Sequence, residues 1–202
     1  MPKLNFMSAL PHFSLTLQEY LELERKAEFK SEYANGYAYV MTGASENHNA
    51  ITLSTASDLL AKLRGRCRVY ANDMKVWLPR QRKFTYPDVS VVCGERRFYD
   101  NRRDVITNPT VIIEVLSDST AAYDRGDKFL AYQQLESLRA YVLVAQHRPV
   151  VEQYIKQADG SWQYMAYIGL ESALTLATVE CVLNLRDVYA DVVWENEVDL
   201  TA

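Results

Sequence analysis

The chain has 202 residues, 49% of them hydrophobic, and a formal net charge of −4. This is enough for one domain with a sizeable core, and it excludes low-complexity disorder. No apolar run approaches the roughly 18 residues of a membrane span, and Met1 to Asn5 lack the apolar core of a signal peptide, so a cytoplasmic protein is expected.

The small net charge conceals segregation. Lys62 to Arg103 hold twelve basic and four acidic residues, whereas the rest of the chain holds ten and twenty-two. A basic stretch on an acidic frame can bind a polyanion; a solvated loop surface would carry the same charges. Cys67, Cys93 and Cys181 are far apart and form no Cys-x-x-Cys pair, which argues against a zinc site or a disulfide framework and predicts small buried thiols.

Thr16-Leu17-Gln18-Glu19 has the pattern of a capping box and predicts a helix to about Lys26. Two short strands, about 28–33 and 37–41, flank Asn35-Gly36, the strongest hairpin signal in the chain. Ser45 is placed to cap a second helix that carries Ile51, Leu59, Leu60 and Leu63 and stops at Gly65. Strands follow at about 68–70, 74–78, 86–93 and 111–116, with an arginine-rich connection over 95–108 that is too polar for core. A third helix over about 122–138 leads to an apolar strand at 140–145. An antiparallel pair at 150–156 and 162–168, a short strand near 179–183 and a short helix over 185–192 complete an α/β order of elements in one domain, 1–202.

The strand Val111-Ile112-Ile113-Glu114-Val115-Leu116 is apolar on both faces except for one carboxylate. A buried, unpaired carboxylate costs several kcal/mol, so Glu114 requires a cation. Asp88 follows a proline at the start of the preceding apolar strand, and neighbouring strands could bring it to Glu114. Lys128 shares a helical face with Ala131, Tyr132, Leu135 and Arg139, which directs it toward the sheet near the end of the Glu114 strand. Two carboxylates and a lysine at strand ends suit Mg²⁺ or Mn²⁺ and the hydrolysis of a phosphodiester. A plain Glu114–Lys128 ion pair, with Asp88 capping a turn, fits the same spacing. Lys75, alternating with Met74 and Val76, is a further candidate to face a phosphate. Ser117 and Ser119 suit helix capping better than nucleophilic attack, and His12 and His147 carry no motif.

Glu32-Tyr-Ala-Asn-Gly36, His48, Tyr86-Pro-Asp-Val-Ser-Val-Val92, Ile112-Ile-Glu-Val-Leu-Ser-Asp-Ser-Thr120 and Asp127-Lys-Phe-Leu-Ala-Tyr132 together resemble the bacterial Uma2 family. That family is a branch of the PD-(D/E)xK restriction-endonuclease-like superfamily, and the resemblance covers about 16–167. It implies a restriction-endonuclease-like core, a central mixed β-sheet flanked by helices with N-terminal and C-terminal β-hairpins. It also implies a Mg²⁺- or Mn²⁺-dependent endonuclease acting on DNA as a homodimer, with Asp88 and Glu114 as metal ligands. Leu116 stands where the superfamily has its lysine, and Lys128 is the implied replacement. Glu32 and His48 match the family pattern as further site residues; an ordinary strand glutamate and a helix-capping or exposed histidine are the plain alternatives. A nuclease fold that has lost catalysis and only binds nucleic acid or protein is the competing reading.

Overall fold

A computed structural model describes residues 14–194; the N-terminal Met1 to Asn5 stretch and His12 lie outside the described residues. Helix α1 (Leu17–Glu24) opens on the expected capping box: Thr16 Oγ1 accepts from Glu19 N, and Glu19 Oε2 accepts from Thr16 N. The hairpin β1 (Ser31–Ala34) and β2 (Tyr37–Val40) turns at Asn35 and Gly36, both with positive φ (50° and 96°), as a tight two-residue turn requires. Helix α2 (Glu46–Leu63) is capped by Ser45, whose hydroxyl accepts from His48 N. It buries Ile51, Leu59 and Leu63, but Leu60 is exposed.

The strands β3 (Cys67–Ala71), β4 (Lys75–Leu78), β5 (Lys83–Thr85), β6 (Val89–Cys93), β7 (Val105–Ile106) and β8 (Val111–Leu116) follow. Next come the short helices α3 (Ala121–Tyr123) and α4 (Phe129–Tyr132), joined by a widened turn at Asp124–Lys128. The remainder is β9 (Ala140–Ala145), β10 (Val150–Lys156), β11 (Trp162–Ile168), β12 (Ala173–Leu176), β13 (Cys181–Asn184) and α5 (Leu185–Val188). They build a six-stranded sheet in the order β11-β10-β9-β8-β6-β3 and a five-stranded sheet in the order β2-β1-β5-β4-β7, with β12-β13 as a separate ribbon. The large sheet is mixed, because β8 and β9 run parallel and its other pairs are antiparallel.

Strand β8 sits inside that sheet with both faces covered. Val111, Ile113 and Val115 pack with Ile51, Leu59 and Leu63 of α2. Ile112 and Leu116 pack with Phe129, Tyr132 and Tyr141. Glu114 shares the parity of Ile112 and Leu116, so its side chain enters the face covered by α4.

Three expectations are corrected, and two strands are added. The third helix is not continuous over 122–138: Gly126 takes non-helical angles (φ −104°, ψ −105°), and beyond α4 the chain closes in three-residue turns, Leu135 N to Tyr132 O and Leu138 N to Leu135 O. The 95–108 connection is not wholly outside the core, since Val105 and Ile106 are fully buried and β7 pairs parallel with β4. Strands β5 and β12 were not among the expected strands. Finally, Cys67 and Cys93 form a disulfide. Their sequence separation concealed this, but the β3–β6 register places them directly opposite. Cys181 is the buried free thiol that was expected.

Candidate functional site

The Val89–Ile113 register of β6 and β8 sets Asp88 beside Glu114. The backbone then locks the two carboxylates reciprocally. Asp88 N donates to Glu114 Oε2 at 3.3 Å, and Val115 N donates to Asp88 Oδ2 at 2.7 Å. Glu114 is 2% exposed, so bulk water cannot compensate its charge.

Lys128 provides that compensation. Its Nζ lies 2.9 Å from Glu114 Oε1, 3.3 Å from Asp124 Oδ1 and 3.8 Å from Glu32 Oε1. The break at Gly126 widens the turn between Asp124 and Lys128 while both side chains stay buried. Spacing pointed to Lys128, and its burial with Ala131, Tyr132 and Leu135 follows the expected helical face; Arg139 lies outside it, exposed.

Glu32 belongs to the same cluster and is buried. It accepts from Tyr86 N at 3.1 Å and from Tyr123 Oη at 3.4 Å, and Lys83 Nζ stands 3.9 Å from its Oε2. His48, in the first turn of α2, places Nε2 3.3 Å from Asp88 Oδ2. Asp88, Glu114, Lys128, Glu32 and His48 therefore come together.

Two members were not singled out from sequence. Asp124 is 2% exposed, and its one sequence signal was its position four residues before Lys128. Lys83 was counted only among the basic residues of the middle segment. Lys75, in contrast, does not face an open site. It is buried, donates to Tyr86 Oη at 3.0 Å and pairs with Asp104 at 3.4 Å, in a structural network that includes Glu24 and Arg25. Ser117 does cap the turn into α3, accepting from Thr120 N. Other charges of the basic segment are also paired within the fold, as in Lys62–Asp58 and Arg66–Glu180.

Burial holds the Glu114 carboxyl well above the ordinary range, and nearby Asp124 and Asp88 push it the same way against Lys128. Burial disfavours the Lys128 ammonium, but Glu114, Asp124 and Glu32 together outweigh this and raise its pKa, so the lysine stays charged. For His48 burial likewise opposes the charge, and the Asp88 contact overrides it to raise the pKa. Four carboxylates thus surround two lysines and a histidine. Glu114 Oε1 and Asp124 Oδ1 are buried without a directed hydrogen bond, although both lie at ion-pair distance from Lys128.

That donor set suits a hard divalent cation, because it offers carboxylate oxygens in excess of local positive charge. Among the described residues no three His, Cys, Asp and Glu side chains converge as a ready-made cage. Asp88 and Glu114 would hold such an ion from one side, and water would complete its shell, as is usual for Mg²⁺.

A sequence model of the Uma2 family, described as "Putative restriction endonuclease", matches residues 17–186. The chain belongs to the Uma2 family. The Uma2 match extends past the 16–167 resemblance to take in β12, β13 and the start of α5. Two Synechocystis proteins, the uncharacterized proteins sll1609 and slr1290, are each 36% identical to it, over 156 and 160 residues. These alignments cover 77% and 78% of this chain and 88% and 82% of the relatives. A crystal structure from Anabaena variabilis, described as "a putative nuclease belonging to DUF820", matches with a TM-score of 0.72 at 18% identity. It covers 89% of this chain and 99% of its own, and this likeness shows the α/β fold of mixed sheets flanked by a few helices.

Proposed function

We propose that this Uma2 protein is a Mg²⁺- or Mn²⁺-dependent endonuclease that hydrolyses phosphodiester bonds of DNA. The observation that carries the reading is the Asp88–Glu114 pair, locked side by side through backbone hydrogen bonds and set against the buried Lys128. Asp88 and Glu114 would hold the ion, which when bound supplies an acidified water and stabilises charge on the phosphate. The chain's own contribution is positional. Val115 N and Asp88 N fix the carboxylates, Lys128 holds the cluster against its own repulsion, and His48 orients Asp88 from α2. A homodimer, which would present one such site to each strand of a duplex, is part of the proposal.

The test is incubation of plasmid with purified protein and Mg²⁺, with and without chelator, beside Asp88→Asn and Glu114→Ala. Metal-dependent nicking or linearisation that both substitutions abolish is the expected result. Cleavage that persists in both variants would sink the assignment.

One observation favours a second reading, in which the fold binds nucleic acid or protein without catalysis. Lys128 is enclosed by three carboxylates rather than directed to an open site. An absence of Mn²⁺ binding in calorimetry, with DNA present, would select that reading.

A further inference from the structure

Strand β5 pairs with β1 and β4 at Ala34↔Lys83 and Leu78↔Lys83. Its alternation sends Phe84 into the cluster of Tyr20 and Tyr33 and leaves Lys83 and Thr85 on the opposite side. Thr85 Oγ1 lies 2.9 Å from Tyr132 Oη there, and Lys83 reaches the acidic cluster beside it. The site therefore contains two lysines in different circumstances.

Lys128 is surrounded by acceptors, with three carboxylates within 3.8 Å. Lys83 has one, Glu32 Oε2 at 3.9 Å, too far for a hydrogen bond. Glu32 is already engaged by Tyr86 N, Tyr123 Oη and Lys128. Lys83 Nζ also lies over the Tyr123 ring, 4.4 Å from its centroid. Among the described residues, Lys83 Nζ donates no hydrogen bond, although an ammonium has three donors to place.

Access separates the two lysines only slightly, with side chains 12% and 8% exposed, so the distinction between them rests on their partners. The side chains of Lys83, His48 and Asp88 are 12%, 14% and 19% exposed, whereas those of Glu114 and Asp124 are each 3% exposed. Lys83, His48 and Asp88 thus keep more contact with solvent than Glu114 and Asp124, which are the most enclosed carboxylates of the cluster.

We propose that Lys83 is the lysine of this site that contacts a phosphate oxygen of the nucleic acid, while Lys128 serves the carboxylates. A phosphodiester oxygen is an anionic acceptor of the kind that an under-bonded ammonium lacks. Burial lowers the Lys83 pKa, with Lys128 acting in the same direction against Glu32, Glu114 and Asp127, so an arriving anion relieves an ammonium that the fold leaves poorly compensated. This assignment rests on the nuclease reading and adds to it which cation meets the substrate.

The test is binding of a fluorescent DNA duplex by the full chain without divalent metal, measured by anisotropy over a range of salt. Wild type is compared with Lys83→Met, Lys83→Gln and Lys83→Arg. Loss of one phosphate contact is expected to weaken binding by about tenfold and to flatten the dependence of log K on log salt by about one contact. Lys83→Arg restores most of both. An unchanged slope in the neutral variants overturns the role of Lys83 while leaving the nuclease reading intact. Absence of salt-dependent DNA binding by wild type overturns the DNA reading itself. A measurement that requires no variant to fold well is the ε-methylene resonance of Lys83 in lysine-labelled wild type: it is expected to shift as duplex is added, and a signal that stays in place while DNA binds overturns the proposal.

Discussion

Lys128 Nζ lies 2.9 Å from Glu114 Oε1, joining the helical segment after β8 to the one charged residue in the centre of the large sheet. Removing the lysine would leave Glu114, Asp124 and Glu32 without their shared cation. Lys128→Met is expected to destabilise the fold by about 3 kcal/mol or more, as stranding a buried charge does. Adding Glu114→Gln to that variant should return part of the loss. Urea unfolding of wild type, both single variants and the double variant measures the coupling; simple additivity would show that the two side chains do not support each other.

Metal binding is expected to be visible in stability as well as in cleavage. If Asp88 and Glu114 hold the ion in the folded state alone, Mn²⁺ at about 100 times its Kd stabilises the protein by about 2.7 kcal/mol. Thermal melts should therefore rise by a few degrees with Mn²⁺, and the rise should vanish in Asp88→Asn. An equal rise in that variant would place the ion elsewhere.

Away from the site, Arg25 clamps Asp104 and Asp100, with both N···O contacts to Nη2 at 2.7 Å. The Arg25 hydrogen bond is the main cause that lowers the Asp104 pKa from 3.8 to about 2. A carboxyl depressed in the folded state contributes stability that is present above its unfolded pKa and disappears as the pH falls through its folded one. The stability advantage of wild type over Asp104→Asn should thus be full above about pH 4 and fade toward pH 2. Denaturation midpoints measured across that interval check it, and a constant difference would show that the clamp does not titrate with folding.

The Cys67–Cys93 disulfide closes a loop with a sequence separation of 26. Loop entropy assigns such a link about 3.5 kcal/mol. Protein purified without reductant should show one titratable thiol after denaturation, that of Cys181, and should unfold at lower urea once reduced. Three thiols under non-reducing conditions would exclude the link.

Local patterns carried much of this protein. The capping box at Thr16, the Asn35-Gly36 turn and the Ser45 cap depend on residues within a few positions of one another, and each forms where its pattern predicts. Glu114 was legible for a related reason: a carboxylate in an apolar strand requires a partner wherever the strand is placed, and Lys128 was within reach along the chain. The kink at Gly126 was not legible, because glycine permits a break without requiring one. Nor was β7, since Val105 and Ile106 are two apolar residues among arginines that become core only when β4 lies alongside.

By itself, the sequence determined the α/β order of elements, the need for a cation at Glu114 and the candidate group of Asp88, Lys128, Glu32 and His48. The first two conclusions follow from local residue patterns and from the energetic penalty of buried charge, which hold whatever the fold; Asp88 and Lys128 came from their places on a strand and a helical face, and Glu32 and His48 from the resemblance to the Uma2 family. Only the tertiary structure decided that Asp124 and Lys83 join the group, that Lys75 leaves it, and that Cys67 meets Cys93. Each of these depends on strand register or on the path of the backbone between distant segments, and no short-range pattern of residues encodes either.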